Sequence, residues 1–246
     1  MIIIQEQLTD GTLVYGWKSD PPETPFAPDY TYNFIEKKIF SEEKCESWNN
    51  YLLEQEPILV DKYRTNLRDG GTGLSTTNVT ARYPYFNILD FDFHLIPKLK
   101  TEIFNGVKTI LSISDNTSWK ETIYSKGWFN VLRKGEQMNP HHHGYHQHIF
   151  YGFHLTISAK ETFTSYYHPV TWPLIQRDVY HVPNKVGYLT LFPSVVSHSV
   201  TLNNYKTPRV SIAGDIFCSS KLGTSFMVSY DGNEAKQMDC TELGKL

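Results

Sequence analysis

The sequence predicts a mainly β protein, a sandwich or barrel of short strands supported by N-terminal helices. Three observations predict it. Beyond Asn116 the chain breaks into short apolar segments cut by Gly, Pro and Asn, the texture of a many-stranded all-β core. Ahead of that point, two stretches carry apolar residues at helical spacing. Finally, 246 residues of which 40% are hydrophobic suffice for one sizeable core, so a single domain over 1–246 is expected. Within it, 1–120 reads as helix-containing support, 121–218 as the β core and 219–246 as a polar, loosely packed tail.

From the N-terminus, apolar residues flank Asp10-Gly11, a dipeptide that favours a tight turn, and predict two short strands before a proline-rich loop over Lys18–Asp29. Ser41-Glu42-Glu43 supplies a cap and an acidic first turn for a helix through about Leu53, with Trp48, Leu52 and Leu53 facing inward. The segment from Asp69 to Asn87 is rich in Gly, Thr and Asn without a sustained period, and reads as a long loop on the substrate side. Leu95, Ile96, Leu99, Ile103, Val107, Ile110 and Leu111 then mark an amphipathic helix between Phe91 and Ser112 that braces a sheet. Strands are expected at Thr122–Leu132, His148–Ile157, Phe163–Tyr167, Val179–Val182, Gly187–Leu191, His198–Leu202 and Arg209–Phe217.

Composition excludes several functions. With 23 basic and 26 acidic side chains the net charge is −3, so no global positive field would hold a nucleic acid. Cys45, Cys218 and Cys240 form neither a disulfide framework nor a zinc-ribbon spacing. The four apolar residues of Met1–Ile4 are too few for a signal peptide, which predicts a cytoplasmic protein with no membrane partner. A Gly-x-Ser-x-Gly elbow is absent, against a hydrolase. Gly70-Gly71-Thr72-Gly73 lacks the Lys-Ser/Thr end of a phosphate loop.

The positive lead is histidine. Seven of the ten lie between His141 and His168. In an extended turn after Asn139-Pro140, His141 and His143 project the same way and can offer two imidazoles to one metal, while His142 points aside. His198, at the start of a later strand, is the natural third ligand; His146 and His148 form a rival pair. On the next strand, alternation puts Arg209, Ser211 and Ala213 on one face, and an inward Arg beside a hydroxyl is a clamp for a small dicarboxylate. His168 and His181 read as strand-packing residues, and Tyr166, Tyr167 and Trp172 as core aromatics.

These residues resemble the Fe(II)/2-oxoglutarate-dependent oxygenases of the prolyl-hydroxylase-like sort found in bacteria and their viruses. The resemblance is carried by WFNVLRKG (Trp128–Gly135), NPHHH (Asn139–His143), FTSYYHP (Phe163–Pro169), GYLTLFPS (Gly187–Ser194), His198 and Arg209-Val-Ser211. It implies a double-stranded β-helix, or jelly roll, as the catalytic core. It also implies Fe(II) on His141, His143 and His198, with Arg209 and Ser211 on the distal carboxylate of the cosubstrate 2-oxoglutarate, and O2 as oxidant. The reaction implied is hydroxylation of a peptidyl or small-molecule substrate. His154 stands near the family's cosubstrate-binding Tyr; alternation places it on the face of His148, Phe150 and Gly152, as a cosubstrate contact or a core histidine. Asn130 is a weaker candidate beside the metal. The chain departs from the family at His143, where Asp or Glu is usual, so three neutral imidazoles leave the site one negative charge short. A cupin accounts for Gly135 and His141-x-His143 but not for Gln147-His148, for the long Gly187-to-His198 interval or for Arg209-x-Ser211. A non-catalytic jelly roll with a structural zinc is the remaining alternative.

Overall fold

A computed structural model describes residues 2–19, 25, 30–65, 67, 69–143, 149–169, 179–218, 228–231, 234–237 and 240–246. Its centre is the strand β11 (Arg209–Cys218), paired antiparallel with β4 (Thr122–Leu132) on one side and β6 (Ile149–Ser158) on the other. Beyond β6 lies β9 (Tyr188–Pro193), giving the order β4-β11-β6-β9. Facing it, β5 (Met138–His141), β7 (Phe163–Tyr167), β8 (Val179–Pro183) and β10 (Ser197–Val200) form a second sheet in the order β5-β10-β7-β8. Eight consecutive strands shared between two antiparallel sheets in this order are a jelly roll, the double-stranded β-helix that the family resemblance implied.

The larger sheet continues past β9 into β3 (Thr31–Lys38), β2 (Leu13–Lys18) and β1 (Ile2–Gln7). The β1–β2 hairpin turns at Asp10-Gly11, where Gly11 has φ +83° as a tight turn requires. At the opposite edge, β14 (Thr241–Lys245) pairs with β4, so this part of the tail belongs to the sheet. β12 (Val228–Asp231) and β13 (Glu234–Gln237) pair with each other.

Alternation along the central strands sorts two environments. Val210, Ile212 and Ile216 of β11, Ile123, Phe129 and Val131 of β4, and Phe153, Leu155 and Ile157 of β6 all join one buried apolar cluster. Against this face pack α1 (Glu42–Lys62) and α2 (Ile96–Ile113), which contribute Trp48, Leu52, Leu99, Ile103 and Val107 to the cluster. Each such aliphatic side chain contributes about 1.5–3 kcal/mol by leaving water. At Gly106 an added Cβ would lie 2.8 Å from Leu191 and 3.1 Å from Ile35, so the missing side chain sets how closely α2 seats on the sheet. No helix among the described residues is long and apolar enough to cross a membrane.

Three expected boundaries shift for physical reasons. α1 starts where foreseen, with Lys44 N–H donating to Ser41 Oγ, but runs to Lys62 through Pro57. Its last two turns are held by Leu59 in the core and by buried Glu56, whose carboxylate takes both Arg133 Nη atoms at 2.9 and 2.8 Å. α2 begins at Ile96, not Phe91, because Phe93 lies instead in a turn with its ring on Tyr51 (4.3 Å) and Trp48 (4.4 Å). The Asp69–Asn87 loop contains a 3-10 turn, Val79–Tyr85, pinned by Asn78 Nδ2 donating to Val131 O.

Candidate metal centre and anion pocket

The turn expected around the histidines is in part a strand. His141 is the last residue of β5 and stands directly opposite His198 of β10. β5 contains Pro140, which an edge strand tolerates because no partner there needs its missing N–H. The ring centroids of His141 and His198 are 4.4 Å apart, those of His143 and His198 5.0 Å, and those of His141 and His143 5.8 Å. One ring nitrogen from each of the three lies within 4.8 Å of the other two, close enough for a single ion. The rival pair His146 and His148, like Trp172, lies outside the described residues.

The three rings are oriented from behind. His141 Nδ1 donates to Asn139 O (2.8 Å), His198 Nδ1 to Val196 O (3.4 Å) and His143 Nδ1 to Asp215 Oδ1 (2.6 Å). A proton on each Nδ1 leaves each Nε2 as the lone pair, the tautomer a metal ligand needs. Burial pushes the His141 imidazole down to about 4, helped by the neighbouring His143. Burial also holds His198 well below the ordinary histidine range, with His141 and His143 adding to the effect. Both are therefore neutral donors at pH 7.

The seven residues singled out in the sequence line one cleft of about 140 Å³ between the two sheets: His141, His143, His198, Arg209, Ser211, His154 and Asn130. Strand register explains the anion end. Ser211 sits opposite Asn130 on β4 and Thr156 on β6, and Ala213 opposite Trp128 and His154. Arg209 is 2% exposed; its Nη1 donates to Ser211 Oγ at 3.0 Å, its Nε has no partner, and no carboxylate among the described residues pairs with it. Burial lowers its pKa to about 10, which still leaves it charged. His154 Nε2 meets Tyr166 Oη at 2.5 Å and its Nδ1 is likewise unmatched. Burial first and the Arg209 charge second push it down to about 3. Asn130 Oδ1 accepts from Thr80 Oγ1 at 2.9 Å, tying the 3-10 turn to the cleft wall.

His154 keeps the inward face expected for it, but Phe150 does not. Phe217 of β11 pairs with Ile149 and Ile216 with Tyr151, so Phe150 is the extra residue of a bulge. Its ring packs instead on Trp119, centroids 5.7 Å apart, against the helix-side core. His168 rests among the rings of Trp17, Tyr30 and Tyr32, and His181 Nδ1 meets Ser165 Oγ at 2.8 Å. Tyr166, read as core, is fully buried yet touches His154.

Sequence reasoning missed other lining residues: Asp215, Trp128, Tyr83, Thr80, Thr164 and Met138. Asp215 was within reach, since it continues the alternation Arg209, Ser211, Ala213 by one step. Trp128, 5.5 Å from the His143 ring and 5.5 Å from Tyr83, joins the metal end to the wall formed by the 69–87 segment.

No protein family and no curated protein matches the chain by sequence. Solved structures do match by shape. AviO1 from Streptomyces viridochromogenes Tue57 superposes with a TM-score of 0.51 at 8% identity, over 75% of this chain and 89% of that one. A Pseudomonas putida prolyl-4-hydroxylase gives 0.47 at 10% identity, over 75% and 91%. The epimerase SnoN in complex with Fe3+, α-ketoglutarate and nogalamycin RO gives 0.45 at 11% identity, over 84% and 88%. The likeness to AviO1 shows a shared fold; what the cleft does is argued from its own residues.

Proposed function

We propose that the chain is an Fe(II)/2-oxoglutarate-dependent dioxygenase, a hydroxylase of a peptidyl or small-molecule substrate, working in the cytoplasm of a bacterium or of an infected host cell. The observation that carries this reading is Arg209: a fully enclosed guanidinium with an unmatched Nε, in the same cleft as three convergent imidazoles. A buried cation without an anion costs several kcal/mol, and a small carboxylate entering the cleft removes that penalty. The donor set fits the group. His141, His143 and His198 would hold the metal, Arg209 and Ser211 the distal carboxylate of 2-oxoglutarate, and His154 Nδ1 stands beside them as a further polar contact.

Bound together, the metal, 2-oxoglutarate and O2 supply the oxidation of a substrate C–H bond coupled to loss of CO2 and formation of succinate. The protein's part is orientation and shielding. The Nδ1 hydrogen bonds keep the imidazoles aimed, Ser211 aligns the guanidinium, and Phe192 and Trp128, each 5.5 Å from the His143 ring, keep bulk water off that side of the cluster. No side chain is asked to act as a general base.

The test is an anaerobic titration of the metal-free chain with Fe(II) and 2-oxoglutarate, followed by the visible charge-transfer band of the chelated keto acid. A band that needs both components and vanishes on admitting O2, with succinate formed, is the expected result. Tight zinc retention without a band would assign the three histidines to a structural site.

A further inference from the structure

Asp215 ends the inward series of β11, and its Oδ1 accepts from His143 Nδ1 at 2.6 Å. The other two histidines of the cluster give their Nδ1 hydrogens to main-chain carbonyls, so His143 alone has a carboxylate behind it. The other acid lining the cleft, Asp69, is committed to its own turn, its two oxygens accepting from Gly71 and Gly73 N–H. The surroundings are built for the His143–Asp215 pair. Gly152 lies directly opposite Asp215, and a Cβ there would sit 3.1 Å from His143 Nδ1 and 2.8 Å from the Phe192 ring. Glycine at 152 thus leaves the space in which this hydrogen bond forms.

We propose that Asp215 is a positioning residue that supplies, from one bond behind His143, the negative charge that the related oxygenases carry as a ligand at the position of His143. Three neutral imidazoles bring no charge to a divalent ion. With Asp215 the group of four brings −1, the same total as two histidines and one carboxylate, but displaced to the far side of an imidazole. The hydrogen bond also fixes the His143 ring, so that Nε2 and not Nδ1 is offered to the cluster. The proposal rests on the metal reading above, and its test separates the two.

The test uses the full chain and Co(II), whose visible absorption reports both affinity and ligand geometry. Asp215→Asn keeps an acceptor for Nδ1–H and removes the charge; Asp215→Ala removes both. Affinity is expected to fall about tenfold for the first and up to about a hundredfold for the second, with the Co(II) spectrum altered in Asp215→Ala as the ring loosens. The decisive arm is an exchange. His143→Asp puts a carboxylate at the ligand position itself and removes the Nδ1–H that Asp215 accepts, so adding Asp215→Asn to it should change Co(II) affinity little, against the roughly tenfold loss in the wild type. A purely structural aspartate would make Asp215→Asn equally harmful in both backgrounds, and that result, or wild-type affinity in both single variants, overturns the proposal. If Asp215→Ala does not fold, the isosteric Asp215→Asn and the exchange decide alone. If the wild type binds no Co(II), or binds it as well after His198→Ala, the metal reading itself fails. If binding depends on His198 but ignores residue 215, only the role of Asp215 fails.

Discussion

On β11, Val210, Ile212 and Ile216 lie against the helices, enclosed by apolar neighbours, whereas Arg209, Ser211 and Asp215, one residue away in each case, look into the cleft. Both sets are shielded from water, and there the likeness ends. The helix side is close-packed apolar surface, with Trp48 Nε1 unmatched within it. The cleft side leaves Arg209 Nε and His154 Nδ1 without partners and crowds three imidazoles together. Unmatched polar groups in an enclosed space lower stability unless something enters to match them. The pleat of one strand therefore divides the molecule into a face that holds it folded and a face that leaves polar groups unmatched.

The largest effect expected on the cleft face is at His198. His198→Ala removes one of the three convergent donors, and Co(II) or Fe(II) affinity should drop by more than about a hundredfold, abolishing 2-oxoglutarate-dependent turnover. The metal-free variant should melt close to the wild type. Metal titration and thermal melting on the same sample check both halves; full activity in this variant would remove the triad.

On the helix face, Ile212→Ala leaves a cavity in a fully buried position and should destabilise the fold by about 2–5 kcal/mol, read by chemical denaturation. Metal affinity in the still-folded fraction should be unchanged. A matching loss of metal affinity would mean that the two faces are coupled through the strand.

Arg209 sharpens the contrast because its removal should harm function without harming stability. Arg209→Met fills most of the same volume and deletes an unpaired buried charge, so the metal-free chain should gain about 1 kcal/mol. The requirement for 2-oxoglutarate should rise steeply while metal content stays near wild type. A variant that melts lower by several kcal/mol would assign the guanidinium a structural job.

The same division explains what could be read from sequence. Strands β4 and β7 fall where they were expected, Thr122–Leu132 and Phe163–Tyr167, because alternation in a two-faced strand is written in side-chain polarity. β5 escaped notice because Asn139-Pro140 carries the local chemistry of a turn, and only its place at a sheet edge makes it a strand. β14 escaped because TELGK has no apolar pattern; its backbone hydrogen bonds to β4 hold it. Pro57 hid the last turns of α1, which depend on Arg133, a residue 77 positions away. At the site, the convergence of His141, His143 and His198 and the inward face shared by Arg209 and Ser211 were legible as spacing and alternation. Asp215 was legible only as the next inward residue of its strand; its partner was not, because the contact with His143 spans 72 positions, which no local pattern records.

The remaining contrast comes from acid. In the metal-free chain His141 titrates near 4, His154 near 3 and His198 well below its ordinary value, whereas unfolded histidine takes its proton near 6.5. Between about pH 6.5 and 4 the unfolded chain therefore binds more protons, so stability is full above 6.5 and falls as pH drops through that window. Each histidine contributes a slope of up to about 1.4 kcal/mol per pH unit. His154→Phe removes one of the three, so its stability should fall less steeply with acid by about one proton, measured as the pH dependence of unfolding free energy. The Ile212→Ala chain, altered on the other face, should keep the wild-type slope while lying lower at every pH. Two parallel curves for Ile212→Ala and the wild type, with a shallower one for His154→Phe, would show that the acid response belongs to the cleft face alone.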